Sequence, residues 1–382
     1  MVIVVISLLV LLAYLVWERL ELSRTRRRIP LVIAITGTRG KSSVARTLGA
    51  VLRESGRRVL VKTTGTEAQY VLPDGSSEDI VRRGPPSALE QKRVLRKAVR
   101  SGADVLIAEM MSIEPANHVV ESRAILRPSI VVITNIRKDH TESMGETLTD
   151  IAETIMLDVV GGAQVFVPQA QVHLFPKATG AGWNVVAAAG TGDSDRLPPS
   201  PERFPDNERL VAAVARSLGV SADAIRRGCE RVRTDRGGFT MWRRTYRMST
   251  VYLVNAFAAN DPESTGELLL RAREIAGRDK KLYGMFALRA DRATRTLQWI
   301  EALESEPWSL FEKIFLVGDV PQTVSRRIRR SMVLRGEDPE TITEGALSLM
   351  TAGGILFGFG NTHGIGLPLI DHWRKEGSSH GT

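Results

Sequence analysis

The sequence predicts an α/β fold in two domains, each built on a parallel sheet, behind an N-terminal transmembrane helix. Three observations carry that expectation. Short apolar runs recur at 31–35, 58–63, 104–109, 130–134, 165–167, 251–255, 281–288, 312–317 and 354–359, and several of the stretches between them have helical spacing. Strands that alternate with helices make parallel sheets. The first run breaks into a glycine turn with a lysine and two hydroxyls, Gly37-Thr38-Arg39-Gly40-Lys41-Ser42-Ser43, and Met1 to Trp17 is uncharged and almost wholly aliphatic.

A chain of 382 residues is long enough for two domains with cores of their own. The formal charge of +9 calls for an anionic partner: nucleic acid, anionic lipid or an acidic substrate. No nucleic-acid-binding signature accompanies it and aromatic residues are sparse, so nucleic acid is set aside. The single cysteine, Cys229, forms no internal disulfide, which fits a reducing compartment and excludes a thiolate-rich metal site.

As a helix, Met1 to Trp17 spans about 25 Å. Leu20 and Leu22 extend it towards a ~30 Å hydrocarbon core, which defines a membrane anchor at 1–22. The rival, a cleaved signal peptide, begins with positive charge and ends in small residues; this segment does neither. Arg24, Arg26, Arg27 and Arg28 follow, and the positive-inside rule then places the rest of the chain in the cytoplasm, on a single-pass anchor of the cell membrane.

The run Leu31 to Ile35, its glycine turn and the helical spacing of Val44 to Glu54 form a strand, a loop and a helix N-terminus. Glycines let backbone N–H groups approach phosphate oxygens, the helix dipole favours the anion, and Lys41 adds a point charge. The Ser42 hydroxyl falls where such loops bind Mg²⁺. The common phosphate-loop pattern requires glycine where Ile35 stands, whereas the shorter G-T-x-G-K-[ST]-[ST] form matches at every position.

Further along, Pro73-Asp74-Gly75 marks a hairpin turn and Ala88 to Ser101 a basic helix. The strand 104–109 ends in Glu109. Ligands bind at the strand ends of open parallel sheets, so Glu109 should face the phosphate loop as a Mg²⁺ ligand; a helix-capping acid is the alternative. The strand 130–134 runs into Asn135-Ile136-Arg137-Lys138-Asp139-His140. Asp206-Asn207 precedes a strongly helical stretch, Leu210 to Ser221, where Asn207 could equally be a helix N-cap. Arginines crowd 226–247, and the turn Asp235-Arg236-Gly237-Gly238 sets the domain boundary. The expected layout is an ATP-binding domain at 29–235 and a smaller Rossmann-like domain at 236–382.

The short loop resembles the ATP loop of the Mur ligase superfamily, and Asn135 to His140 resembles its T-N-x-x-x-D-H box. Val251 to Ser264, with Asn-Ala-Phe-Ala-Ala-Asn-Asp-Pro-Glu-Ser, is similar to the ligase subunits of poly-γ-glutamate synthases (the PgsB/CapB family), as is the glycine-rich ending Gly358 to Gly366. The resemblance implies a Mur ligase-like P-loop ATPase domain and an ATP- and Mg²⁺-dependent carboxylate–amine ligase. It assigns ATP to Gly37 to Ser43, Asn135 and Asn207, Mg²⁺ to Ser42, Glu109 and His140, and the catalytic work to Lys41, Glu109 and His140. A linker arginine, Arg233 or Arg236, would reach the ATP phosphates, and Asn260 and Asp261 would meet substrate. Two departures stand out. No lysine lies between Thr141 and Gly162, where several Mur ligases carry a modified one, and no UDP-sugar domain precedes the loop, so a UDP-linked sugar peptide is not the expected substrate.

The implied reaction activates the end carboxylate of a glutamate chain as an acyl phosphate, which an incoming glutamate amine attacks. The partners implied are glutamate, the anionic polyglutamate chain, the membrane, other integral-membrane synthase subunits and a second copy of the chain. Two alternatives stay open: another Mur-type ligase such as a folylpolyglutamate synthase, or a membrane-linked P-loop kinase regulating capsule export. Such kinases end in a tyrosine cluster, and the last tyrosine here is Tyr283.

Overall fold

The computed structural model describes residues 2–65, 67–82, 84–175, 184–188, 204–232, 236–259, 261–351 and 353–379. The chain divides into two compact units, Met1–Leu197 with Phe204–Arg233 and Pro198–Arg203 with Thr234–Thr382.

The first unit is built on eight strands: β1 (Leu31–Thr36), β2 (Val59–Lys62), β3 (Gln69–Val71), β4 (Ser77–Asp79), β5 (Val105–Glu109), β6 (Ile130–Ile133), β7 (Gln164–Pro168) and β8 (Asn184–Ala188). They lie in the order β4-β3-β2-β5-β1-β6-β7-β8. All pairings are parallel except those of the β3–β4 hairpin edge, whose turn Asp74 closes by accepting the Ser76 N–H at 2.9 Å. Alternate residues of β1 enter opposite cores. Val32 and Ala34 meet the helix Glu90–Arg100, while Ile33 and Ile35 meet the helices Lys41–Glu54 and Pro205–Ser217. A sheet covered on both faces reads as continuous apolar runs, which is why its strands stand out in the sequence. The helix Ala222–Arg231 packs so closely on the loop helix that a Cβ on Gly228 would lie 2.4 Å from the Val51 Cα.

The segment expected to be an anchor is one helix, Val2–Arg27, long and apolar enough to cross a membrane. Residues 2–17 are exposed on every side, but its last turns belong to the unit. Leu22 packs on the core, Glu18 and Glu21 pair with Lys92 and Arg96 at 2.7 and 3.1 Å, and Arg26 Nε donates to the Leu126 carbonyl at 2.6 Å.

In the second unit, β9 (Thr240–Tyr246) and β10 (Ser249–Asn255) form an antiparallel hairpin. With β11 (Leu282–Leu288), β12 (Lys313–Gly318), β13 (Ser331–Val333), β14 (Gly354–Gly360) and β15 (Ser378–Ser379) they make a sheet ordered β13-β12-β11-β14-β10-β9-β15. The first five strands in that order, β13 to β10, pair in parallel. Buried Asn255 secures the start of the unit by donating to the Arg236 and Gly238 carbonyls at 3.1 and 2.8 Å.

Candidate nucleotide site

Three strand ends converge because β1 lies between β5 and β6, with Ile35 beside Glu109 and Thr36 beside Ile133. β1 delivers the phosphate loop. Gly37 and Gly40 take φ of +116° and +78°, conformations that favour glycine, and a Cβ on Gly37 would lie 2.4 Å from Thr134 Oγ1. The following helix begins at Lys41, three residues before its apolar spacing does, and has no side-chain cap. Its first-turn N–H groups and positive dipole end are thereby left for an anion.

β6 delivers the brace for that loop. Asn135 Oδ1 accepts from Thr38 Oγ1 at 2.6 Å and from the Arg39 N–H at 3.0 Å, while its Nδ2 donates to the Arg39 carbonyl at 3.1 Å. Thr134 Oγ1 donates to the same carbonyl at 2.6 Å, and Asp139 pairs with Arg39 at 3.4 Å. The Asn–Asp pattern therefore holds the loop in shape.

β5 delivers Glu109, 2 % exposed. Its Oε2 accepts from Ser42 Oγ at 2.8 Å and from the Thr64 N–H at 2.7 Å. Lys41 Nζ folds back on its own loop, donating to the Gly37 and Thr38 carbonyls at 2.6 and 3.2 Å. Burial draws its ammonium below the usual lysine range, and the Glu109 charge opposes that shift.

The structure thus brings Lys41, Ser42, Glu109 and Asn135 together and adds Asn207. Asn207 lies inside the first turn of the helix Pro205–Ser217 instead of capping it, and its Nδ2 is 3.0 Å from where a Cβ on Gly40 would stand. Ser43, in the first turn of the loop helix, is exposed. His140 is not joined to Glu109. It sits in the left-handed region (φ +49°) at the start of the short helix Thr141–Met144, its ring beside the carboxylates of Asp139 and Glu142 at 3.9 and 3.5 Å. Among the described residues no three His, Cys, Asp or Glu side chains converge as a metal site. Arg236 is bound through both guanidinium arms to Asp371 of its own unit. Asp261 caps the helix Pro262–Ala276 by accepting the Ser264 N–H at 2.8 Å, and Asn260 and Arg233 lie outside the described residues.

Beneath the site runs a buried polar network absent from the sequence expectations. Lys62 Nζ donates to the Glu109 carbonyl at 3.2 Å and lies 3.4 Å from Glu90. The Glu121 carboxylate accepts from the Met111 and Ser112 N–H groups, from Ser112 Oγ and from Gln91 Nε2. Thr36 Oγ1 donates to Asp158 at 2.6 Å, and Asp158 holds His118 Nδ1 at 2.9 Å. One signal was available, a lysine in the otherwise apolar run Val59 to Lys62, since a fully buried lysine requires a partner.

The strand ends, glycine loop and carboxylate are those of a Mur ligase-type ATP domain, and residues 35–157 match the Mur ligase middle domain. Residues 243–376 match the C-terminal domain of poly-gamma-glutamate synthase CapB. The PGA synthase CapB of Bacillus subtilis (strain 168) is 28% identical over 380 residues, covering 96% of both chains. The capsule biosynthesis protein CapB of Bacillus anthracis is 28% identical over 379 residues, covering 96% of this chain and 81% of its own. Among solved structures, the bifunctional folylpolyglutamate synthase/dihydrofolate synthase of Yersinia pestis, complexed with AMPPNP and Mn, superposes with a TM-score of 0.67 at 18% identity, over 91% of this chain and 90% of that one. The chain thus resembles the CapB synthases along nearly its whole length and has a Mur ligase-like fold.

Proposed function

We propose that this protein is an ATP-dependent amide ligase that adds glutamate to a growing poly-γ-glutamate chain at the cytoplasmic face of a membrane. The observation that carries the reading is the 2.8 Å contact of Ser42 Oγ with Glu109 Oε2 at the mouth of the phosphate loop, in a chain similar to CapB over 96% of its length. The two groups are hard oxygen donors that suit Mg²⁺, which completes its shell with water and phosphate oxygens. When bound there, Mg²⁺ neutralises charge on the ATP phosphates.

The remaining work falls to the chain itself. The N–H groups of the loop and of the first helical turn orient the phosphates. Lys41, released from the Gly37 and Thr38 carbonyls, stabilises charge spread over the transferred phosphoryl oxygens. Asn135 keeps the loop from relaxing, and Asn207 stands against Gly40. An acyl phosphate made from the chain's end carboxylate then yields the amide and free phosphate on attack by the amine of glutamate. The cation excess suits a polyanionic product, and the apolar helix supports a membrane location. Integral-membrane synthase subunits and a second copy of the chain are the protein partners of this reading.

The test is phosphate release from ATP by the membrane-bound full chain, co-expressed with its partner subunits, with hydroxylamine as an acyl-phosphate trap. Glutamate-dependent ADP formation with a hydroxamate product, abolished by Lys41→Ala, is expected. ATP turnover without a carboxylate requirement, with phosphate on protein tyrosine, would replace the ligase with a kinase.

A further inference from the structure

The anchor helix and the helix Glu90–Arg100 are tied by two ion pairs, Glu18 with Lys92 and Glu21 with Arg96. Both pairs advance along the two helices in the same sense, so the helices run side by side in the same direction. Three residues back from the Glu18–Lys92 pair, about 4.5 Å at 1.5 Å per residue, lie Leu15 on the anchor and Leu89 on the other. Leu89 is still helical, at φ −65° and ψ −17°. Tyr14 and Trp17, whose rings are 6.1 Å apart, flank Leu15 and mark the level at which aromatic residues meet lipid headgroups. Leu89, 54% exposed, stands at that level. Arg82 binds Glu90 through Nε at 2.7 Å and Nη2 at 3.2 Å, which holds Val81, 81% exposed, beside the same helix start. Pro85 and Pro86 between them are also exposed.

We propose that Val81 and Leu89 form a second membrane contact, inserted at the headgroup boundary of the bilayer that holds the anchor; this rests on the anchor reading above. The occupant is lipid, because the patch is continuous in level with an apolar helix that is exposed on all sides. The two acids at the end of the apolar run are each matched by a cation of the neighbouring helix, so neither meets the surface as an unpaired charge. A helix without a hinge and a lateral contact together fix the tilt of the ATP domain on the membrane.

The full chain is reconstituted into phosphatidylcholine–phosphatidylglycerol vesicles carrying nitroxide-labelled lipid. Single cysteines at Leu15→Cys, Val81→Cys, Leu89→Cys and, as a control at the exposed far end of the helix Glu90–Arg100, Arg100→Cys carry an environment-sensitive fluorophore. Cys229 is buried, and the unsubstituted chain sets the background. Quenching of about half the signal at 15, 81 and 89 but not at 100 is expected for groups about 5–10 Å into the boundary. Quenching at 15 alone overturns the second contact, leaves the anchor standing and points to water or a protein partner over Val81 and Leu89. Absence of quenching at 15 removes the anchor and the proposal with it.

Discussion

The two sheets share a parallel centre but are floored differently beneath their strand ends. In the first unit the floor is polar: Lys62, Glu90, Gln91, Glu121, His118 and Asp158 are all buried. In the second it is aromatic: Phe286 stacks on Phe359 at 4.8 Å, and Trp299 meets Trp308 edge-on at 4.8 Å. A buried polar group costs free energy unless it is hydrogen-bonded, and the first unit meets that cost by giving Lys62 the Glu109 carbonyl and Glu121 the N–H groups of Met111 and Ser112. Rings fill space without directing anything. One floor positions a carboxylate, and the other holds a shape.

Substitutions should separate these roles. Trp299→Ala empties the middle of the ring cluster and should lower the stability of the second unit by about 3–5 kcal/mol, read as an earlier urea transition; an unchanged midpoint would deny the cluster its role. Lys41→Ala should leave both unfolding transitions in place while glutamate-dependent ATP turnover falls about 10²–10³-fold. A loss that tracked unfolding would make Lys41 structural.

Glu121→Gln sharpens the contrast, because it puts an amide N–H₂ against groups that are themselves donors. It should cost about 1–3 kcal/mol and raise the Mg²⁺ concentration needed for half-maximal turnover, since Met111 and Ser112 lie just beyond Glu109, with only Met110 between. A stability loss with unaltered Mg²⁺ dependence would limit Glu121 to folding.

The smallest effect concerns His118. Burial works against its protonation, but the hydrogen bond and charge of Asp158 outweigh burial and raise its pKa above the usual histidine value. A raised histidine adds stability that is complete below the unfolded-state pKa and is lost as pH rises through the folded-state one. The cost of His118→Gln, followed by thermal unfolding, should therefore be larger near about pH 6 than near about pH 9, and the reverse order would mean that the ring is buried neutral.

What could be read from the sequence follows from the kind of interaction involved. Strands buried on both faces show as apolar runs, and a glycine loop before a helix declares itself locally, so β1, β5, β6 and the phosphate loop were found with Lys41, Ser42 and Glu109. The β9 half of the hairpin was missed because Arg244, paired with Glu344, stands between Trp242 and Tyr246 where the alternation calls for an apolar residue. The segment Pro115–Leu126, which carries His118 and Glu121, forms an α-turn followed by a π-helix, a period no amphipathic template matches. His140 and Asp139 were read as a unit; Asp139 reaches Arg39, while His140, in a left-handed backbone, lies beside the carboxylates of Asp139 and Glu142. Asp261 shows the opposite case, a residue beside a cleft motif whose side chain is spent on starting a helix.

The approach of Asn207 to Gly40 also has a consequence in time. The phosphate loop leaves the ribosome well before the residue that stands against it, which is more than 160 positions later. At the usual pace of synthesis that interval is roughly ten to thirty seconds. The nascent chain therefore waits with an open-sided loop, and its nucleotide pocket closes only when the last helices of the unit have been made.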